Sequence, residues 1–416
     1  MGRRHLQSDP VVELVPGDLR RISGGKLLDL IEKPLRALRT SGALPIHGNR
    51  HLLADHVVIA HLVAFFNPVA ASLRRIEDVF ESPQARKRFG LPGVPRCTLS
   101  DAQAVFDCTL LAPILDALTQ RLPKLPHDPR LDEVTRQLIA VDGTFFAMLP
   151  RVLWALHHKH DNKFASVLRG QVRLDLHLDI LQGTPEAAVI SGSHLSEHAS
   201  LAQHVRPGRF YVLDRGFQSY ALLRAILDAP SDFVVRSRDA LAFDVLSERL
   251  LSAEDRLAGV VADADIRIHG HRAQAALKAP VLRRIEIRSA GKEESIILLT
   301  SRTDLPADLM ALIYRHRWQI ELFFRWLKCM TGFGHFLSDS LAGVSLQIYA
   351  ALIGTLLIAV WTGSKPSVYA FSTMNAVMSG LVGADEAPAI IARRMTIAGR
   401  EAERAKARRA AKKSGR

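Results

Sequence analysis

The stretch Tyr314-Arg-His-Arg-Trp-Gln-Ile-Glu-Leu-Phe-Phe-Arg-Trp-Leu-Lys328 decides how the rest of this chain is read. Wound as a helix at about 100° per residue, it brings Tyr314, Arg317, Glu321 and Lys328 within an arc of about 60°, with Arg325 beside them. Ile313, Trp318, Ile320, Leu322, Phe323, Trp326 and Leu327 take up most of the remaining circumference, which predicts a helix buried on most sides. One carboxylate among three or four cations suits a metal ligand set against a polyphosphate. Arg supplies a planar fork for phosphate and Lys a point charge. The alternative is an amphipathic helix with a solvated charged face.

Two carboxylates upstream bear on that choice. Gln137–Asp142 reads as a short buried strand running into Val-Asp-Gly-Thr, and Phe210–Asp214 as a strand running into Leu-Asp-Arg-Gly-Phe. Asp142 and Asp214 therefore sit at the C-terminal ends of strands, where open α/β sheets place their sites. Between them, Val172 to Ile180 alternates apolar and polar residues, with Arg173, Asp175, His177 and Asp179 on the polar face. Glu186–Ser191 is a further strand, followed by a helix around Glu197–His204. A helix over Ser219–Leu227 and a strand over Phe233–Arg236 come next. Strands then dominate, including Ile266–His269 and a hairpin of Leu282–Ile287 with Ser295–Leu299, until Pro306 opens the helix carrying Glu321. This order predicts an α/β core interrupted by a β-rich insertion before its last helix.

Asp142, Asp214 and Glu321 are hard oxygen donors able to hold one or two Mg²⁺ ions. Two metals about 4 Å apart can activate an attacking oxygen and stabilise the leaving one at phosphorus. The three acids are 72 and 107 residues apart, so spacing alone does not bring them together.

Val141-Asp142-Gly143-Thr144, Leu213-Asp214-Arg215-Gly216-Phe217 and the pattern Tyr-x2-Arg-x3-Glu-x6-Lys resemble the acidic blocks of DDE transposases. They are most similar to the insertion-sequence-four group, over roughly residues 136–340. The resemblance implies a ribonuclease H-like catalytic core in which Asp142, Asp214 and Glu321 coordinate two Mg²⁺ ions, with Mn²⁺ as a substitute. Water, and then a freed 3′-hydroxyl, would attack phosphodiesters of double-stranded DNA at terminal inverted repeats and in the target. Tyr314, Arg317, Lys328 and Arg325 would grip DNA phosphates, and a homodimer would join the ends in a synaptic complex. Members that excise through a hairpin stack a flipped base on an aromatic, often a Trp in the insertion. Here Trp154, Trp318, Trp326 and Trp361 all lie outside it, and Phe243 is the nearest substitute. A catalytically idle DNA-binding regulator and another ribonuclease H-like nuclease are the competing readings.

The remaining chain is divided accordingly. Residues 1–130 are expected to be a helical N-terminal region, 131–236 the first part of the core, 237–300 the insertion, 301–365 the catalytic and following core helices, and 366–416 a C-terminal segment with a basic, disordered tail. In the first region, helices are expected over Lys26–Leu38, Leu53–Phe66, Ser72–Phe80 and Thr98–Leu122, the last capped by Thr98 or Ser100. Arg74, Arg75, Arg86, Lys87 and Arg88 fit either a DNA-binding unit or an ordinary helical bundle.

A net charge of +13 in 416 residues points to a polyanionic partner. The tail from Arg393 to Arg416, with ten Lys or Arg against two Glu, carries more than half of that excess. Cys97, Cys108 and Cys329 form no CxxC pair, which favours a reducing cytoplasm; the transposase resemblance implies a bacterial, nucleoid-associated setting. No signal peptide is read at the N-terminus. Ile348–Trp361 is apolar over about 14 residues, interrupted by Gly354 and Thr355, and short of the roughly 20 that span a bilayer. It is expected to be a buried core helix with no membrane partner. His157-His158-Lys159-His160-Asp161 and the pair His194 and His198 are more simply surface residues than zinc ligands. Asp175 and Asp179 either approach Asp142 or merely line a polar sheet face, and Arg236 and Arg238 either touch DNA or lie at the surface.

Overall fold

A computed structural model describes residues 30–45, 51–67, 70–123, 125, 127–148, 152–162, 165–192, 196–237, 241–270, 275–278, 281–288, 294–331, 336–383 and 385–414. The chain divides into two units, Met1–Pro123 with Cys329–Arg416, and Lys124–Lys328.

The first unit is helical. Its helices are α1 (Glu32–Ala37), α2 (Ala54–Phe66), α3 (Leu73–Glu81), α4 (Pro83–Phe89), α5 (Arg96–Ala104) and α6 (Ala112–Thr119), followed later in the chain by α12 (Leu341–Thr362), α13 (Val368–Met378) and α14 (Ala387–Ser414). The long helix expected over Thr98–Leu122 is broken. Asp107 is extended and accepts from the Thr109 amide, so a new helical start follows α5. Neither Thr98 nor Ser100 caps α5, which Pro95 precedes instead.

The apolar stretch near residue 350 belongs to a helix of 22 residues, longer than its composition suggested. It is long and apolar enough to cross a membrane, yet 83% of its apolar window is buried inside the fold. Its two apparent interruptions are packing devices. A Cβ at Gly354 would lie 2.4 Å from the Phe65 ring, so only glycine lets α2 approach this closely. Thr355 donates its hydroxyl to the Ala351 carbonyl at 2.7 Å, which satisfies a buried polar group within the helix. The basic C-terminal stretch is not an irregular tail: α14 stays helical to Ser414.

The second unit is mixed α/β, built on one ten-stranded mixed sheet. Its strands are β1 (Gln137–Met148), β2 (Leu156–Asn162), β3 (Ala165–Asp179), β4 (Thr184–Gly192), β5 (Arg209–Leu213), β6 (Asp232–Arg236), β7 (Phe243–Glu248), β8 (Val260–Ile268), β9 (Leu282–Arg288) and β10 (Ser295–Thr300). They are ordered β2-β3-β1-β5-β6-β10-β9-β8-β7, and β4 also pairs with β3. Only β1, β5 and β6 run parallel to one another. Its helices are α7 (Glu197–Gln203), α8 (Tyr220–Asp228), α9 (Ala253–Leu257), α10 (Ala307–His316) and α11 (Trp318–Thr331).

Two expectations change here. Strand β1 does not stop at Asp142. Its parallel pairing with β5 ends at Val141↔Leu213, but antiparallel pairing with β3 carries it on to Met148↔Gly170. The β-rich insertion is not a separate layer either, because β10 pairs with β6 and continues the core sheet outward. A buried ion pair joins the neighbouring strands there: Arg283 donates from Nε and Nη2 to the two oxygens of Asp263 at 2.8 and 2.7 Å.

On one face of the sheet Ile139, Val141, Tyr211, Leu213, Phe233 and Val235 pack against Leu222, Leu223 and Ile226 of α8. Strand alternation then turns Leu138, Ala140 and Asp142 to the opposite face. The polar face of β3 is buried rather than solvated. Arg173 binds Asp175 at 2.9 Å, and Gln137 donates to Asp179 at 2.7 Å. Burial, helped by His204 and Arg206, pushes His177 down to about 3, so it remains neutral.

Candidate active site

The sheet register brings two of the predicted acids side by side. Val141 and Leu213 are the last parallel-paired residues of β1 and β5, and each is followed at once by an aspartate. Val235 of β6 pairs with Leu213 and is followed by Arg236. Asp142, Asp214 and Arg236 thus each follow an equivalent position of three adjacent parallel strands. Past Leu213 the chain leaves the sheet in a tight turn, closed by the Phe217 amide bonding to the Asp214 carbonyl at 3.0 Å.

Asp142 accepts the Gly143 amide at 2.8 Å. Burial raises its carboxyl to about 6; the Gly143 amide and Arg317 oppose the rise, while the negative charges of Glu197 and Asp214 add to it. Burial is thus the main reason that this carboxyl holds its proton more tightly than an exposed one.

The Tyr314–Lys328 segment delivers the cations. It is two helices rather than one, meeting at Arg317, where the Arg317 amide bonds to Tyr314 and the Ile320 amide to Arg317 in tight three-residue steps. Ile320, Phe323, Phe324, Trp326 and Leu327 are buried as expected, but Trp318 and Leu322 face outward at 49% and 40% exposure. Arg317 donates to Glu321 at 2.6 Å. Burial disfavours the Arg317 charge, yet Glu321, Tyr314 and Asp214 together hold it above its usual range. Burial also raises Tyr314 to about 12, with Asp214 adding to that rise and Arg317 and Arg236 opposing it, so the phenol keeps its proton. The Lys328 ammonium lies 5.6 Å from the centre of the Phe146 ring on the far part of β1, and partial burial lowers its proton affinity. Arg325 is exposed on the same helix.

Of the predicted residues, the fold groups Asp142, Asp214, Tyr314 and Arg317, and attaches Glu321 through Arg317. Among the described residues, no three His, Cys, Asp or Glu side chains form a ready-made metal cluster. The donor chemistry nonetheless fits a divalent cation: Asp142 and Asp214, each following the last residue of the β1–β5 parallel pairing, are hard oxygen donors.

The sequence reading missed Glu197. It opens α7, and Asp142 feels its charge more strongly than that of Asp214. An acid in the first turn of a helix is ordinary, so no sequence signal singled it out. The other expectations divide. Asp175 stands opposite Gly143 in the β1–β3 register and so shares the sheet face of Gly143 rather than that of Asp142, whereas Asp179 is a structural hydrogen-bond acceptor. Phe243 lies beneath the Arg284 guanidinium, 5.3 Å from the ring centre. His198 bonds to the Gly216 carbonyl at 2.6 Å; His194, Arg238 and the side chains of His157–Asp161 lie outside the described residues.

Comparison with known proteins matches this arrangement to one family. The family profile described as "Transposase DDE domain" matches residues 134–357, more than half of the chain, and includes all three acids. "Putative transposase y4zB" of Sinorhizobium fredii (strain NBRC 101917 / NGR234) is 33% identical over 157 residues, which are 38% of this chain. The match spans 43% of that relative's length. A piggyBac transposase, solved as a synaptic complex with hairpin DNA, overlaps 91% of this chain and 81% of its own at 11% identity, with a TM-score of only 0.36. With two aspartates at adjacent parallel strand ends and a matching profile across the whole sheet, the chain belongs to the DDE-domain transposase family.

Proposed function

We propose that this protein is an insertion-sequence transposase of the insertion-sequence-four group, cutting phosphodiesters at inverted-repeat ends and joining the 3′-hydroxyl ends to target DNA. The observation that carries the reading is the register Val141↔Leu213, which sets Asp142 beside Asp214 where the cations of the Tyr314–Lys328 segment arrive. The helix and strand order of the second unit, with an inserted β-meander, supports a ribonuclease H-like core.

In this reading Asp142, Asp214 and Glu321 would hold two divalent cations, Mg²⁺ or Mn²⁺, which when bound would supply activation of the attacking oxygen and stabilisation of the leaving one. Arg317 orients Glu321 through their 2.6 Å contact and offers its remaining donors to a phosphate. Tyr314 donates its retained phenolic proton to a phosphate oxygen. Lys328 and Arg325, exposed further along α11, track the DNA backbone as it leaves the cleft. In the helical unit, Arg74, Arg75 and Lys87 are exposed on α3 and α4 and serve as additional phosphate contacts. The active species is a homodimer holding paired ends, working on DNA in the bacterial cytoplasm.

The test is cleavage of the element's own terminal repeats with Mg²⁺, comparing the wild type with Glu321→Ala. Cleavage at the repeat ends that the substitution lowers roughly a hundredfold or more is the expected result. Tight binding without cleavage by either protein favours the idle regulator. Cutting of any branched DNA without end specificity favours a general nuclease.

A further inference from the structure

We propose that α14 is a sequence-independent grip for duplex DNA, with a stripe of its arginines laid along the phosphates. The inference rests on the reading of this chain as a protein that acts on DNA, and it places a contact surface on the helical unit, which does not carry the acids.

The helix runs for 28 residues, about 42 Å at 1.5 Å per residue. Only its beginning is buried, through Ala387 and Ile391, and it packs against α13. Among the described side chains, those from Ala392 to Arg408 are exposed apart from the half-buried Ala398. A Cβ at Gly399 would meet nothing within 4 Å. A helix without packing is marginal in water even when built of good helix formers, so the surface of α14 answers to a partner rather than to a core. That surface is rich in arginine. At about 100° per residue, Arg393, Arg400, Arg404 and Arg408 fall within an arc of about 80° and span about 22 Å of the helix. All four are exposed, and none forms an ion pair among the described residues. Arg400, Arg404 and Arg408 follow one another at four-residue intervals, a spacing at which like charges oppose helix formation. Glu401 and Glu403 have no cation four residues away in either direction. The stripe therefore carries a repulsion that no described acid relieves, and a row of phosphates relieves it. Arginine presents a planar fork that suits phosphate oxygens, and neutralised phosphates release counterions whatever the base sequence. A membrane surface is the poorer fit, because interfacial helices carry a bulky apolar face opposite their cations. From Ala392 onward Met395 and Ile397 are the only large apolar residues, and Ile397 projects within the arginine stripe.

The experiment measures binding of the full-length protein to a short duplex of random sequence, by fluorescence anisotropy across a salt series, with melting temperature in parallel. Arg400→Gln, Arg404→Gln and Arg408→Gln combined are expected to weaken binding about ten- to a hundredfold near physiological salt. The slope of log affinity against log salt should fall by about three, with an unchanged melting temperature. Arg400→Lys, Arg404→Lys and Arg408→Lys combined keep the charge and should keep the slope. Wild-type affinity and slope in the Gln variant overturn the inference. So does a Gln variant that loses binding to anionic phospholipid vesicles while its DNA binding is unchanged, which assigns the helix to a membrane. End cleavage separates the two levels. If the Gln variant binds random duplex as the wild type does, while the wild type cleaves terminal repeats and Asp142→Asn does not, only the role of α14 falls. If the wild type neither binds random duplex nor cleaves the repeats, the reading of the chain as acting on DNA falls with it.

Discussion

Two aspartates on one sheet, Asp263 buried and Asp142 half-buried, are treated in opposite ways. Asp263 on β8 has both oxygens engaged by Arg283, and the two side chains are almost sealed from water at 4% and 3% exposure. Asp142 on β1 receives the Gly143 amide, while Arg317, whose charge favours the ionised form of Asp142, donates to Glu321. Its other neighbours, Glu197 and Asp214, repel it. The fold is thus able to neutralise a buried acid, and at the parallel strand ends it leaves one uncompensated. A structural acid is matched inside the protein.

The largest expected effect breaks the satisfied member of this pair. Arg283→Ala strands Asp263 without its partner, and a buried charge left alone costs about 3–5 kcal/mol. Denaturant unfolding should show a loss of that size; a loss below about 1 kcal/mol would mean that Asp263 is not dependent on Arg283, and the contrast would collapse.

The next prediction acts on the unsatisfied member and has the opposite sign. The folded Asp142 value of about 6 lies above the ordinary 3.8, so the folded state binds the proton more tightly than the unfolded chain. Its penalty is therefore absent below about pH 4 and grows as the pH rises through 6. Asp142→Asn removes the charge and should stabilise the protein by about 2–3 kcal/mol above pH 7, and hardly at all near pH 4, while abolishing end cleavage. Melting curves at the two pH values decide this: a stabilisation independent of pH would rule out the charge as its source.

Lys328→Met gives the smallest change. Removing one phosphate contact should weaken DNA binding a few-fold on any sequence and reduce the slope of log affinity against log salt by about one. An unchanged slope would show that Lys328 serves its contact with Phe146 alone.

Much of the second unit was legible because its signals are local. Alternation in Val172–Ile180 and the apolar runs before Asp142 and Asp214 marked their strands, and the strands formed. What failed did so for tertiary reasons. Strand β1 outran its apolar run because β3 supplied partners beyond Asp142. The polar face of β3 is buried because α7 and the segment after it supply Ser200, His204 and Arg206 as neighbours. Gly354 and Thr355 looked like interruptions, yet one admits the Phe65 ring and the other bonds its own helix. The basic tail looked irregular by charge, but its Ala, Arg and Lys are strong helix formers, and α14 is helical to Ser414.

The sequence by itself determined the family: three acids in order and one segment of Tyr, Arg, Glu and Lys spaced along a helix lie within the matched transposase domain. Residue type and periodicity carry that much because they depend only on neighbours along the chain. Tertiary structure alone decided who stands beside whom. The register Val141↔Leu213 set two aspartates side by side across 72 residues, and a hydrogen bond from His198 to the Gly216 carbonyl joined the start of α7 to the turn after Asp214. Hydrogen-bond register and side-chain packing join distant parts of the chain, and no local pattern encodes them.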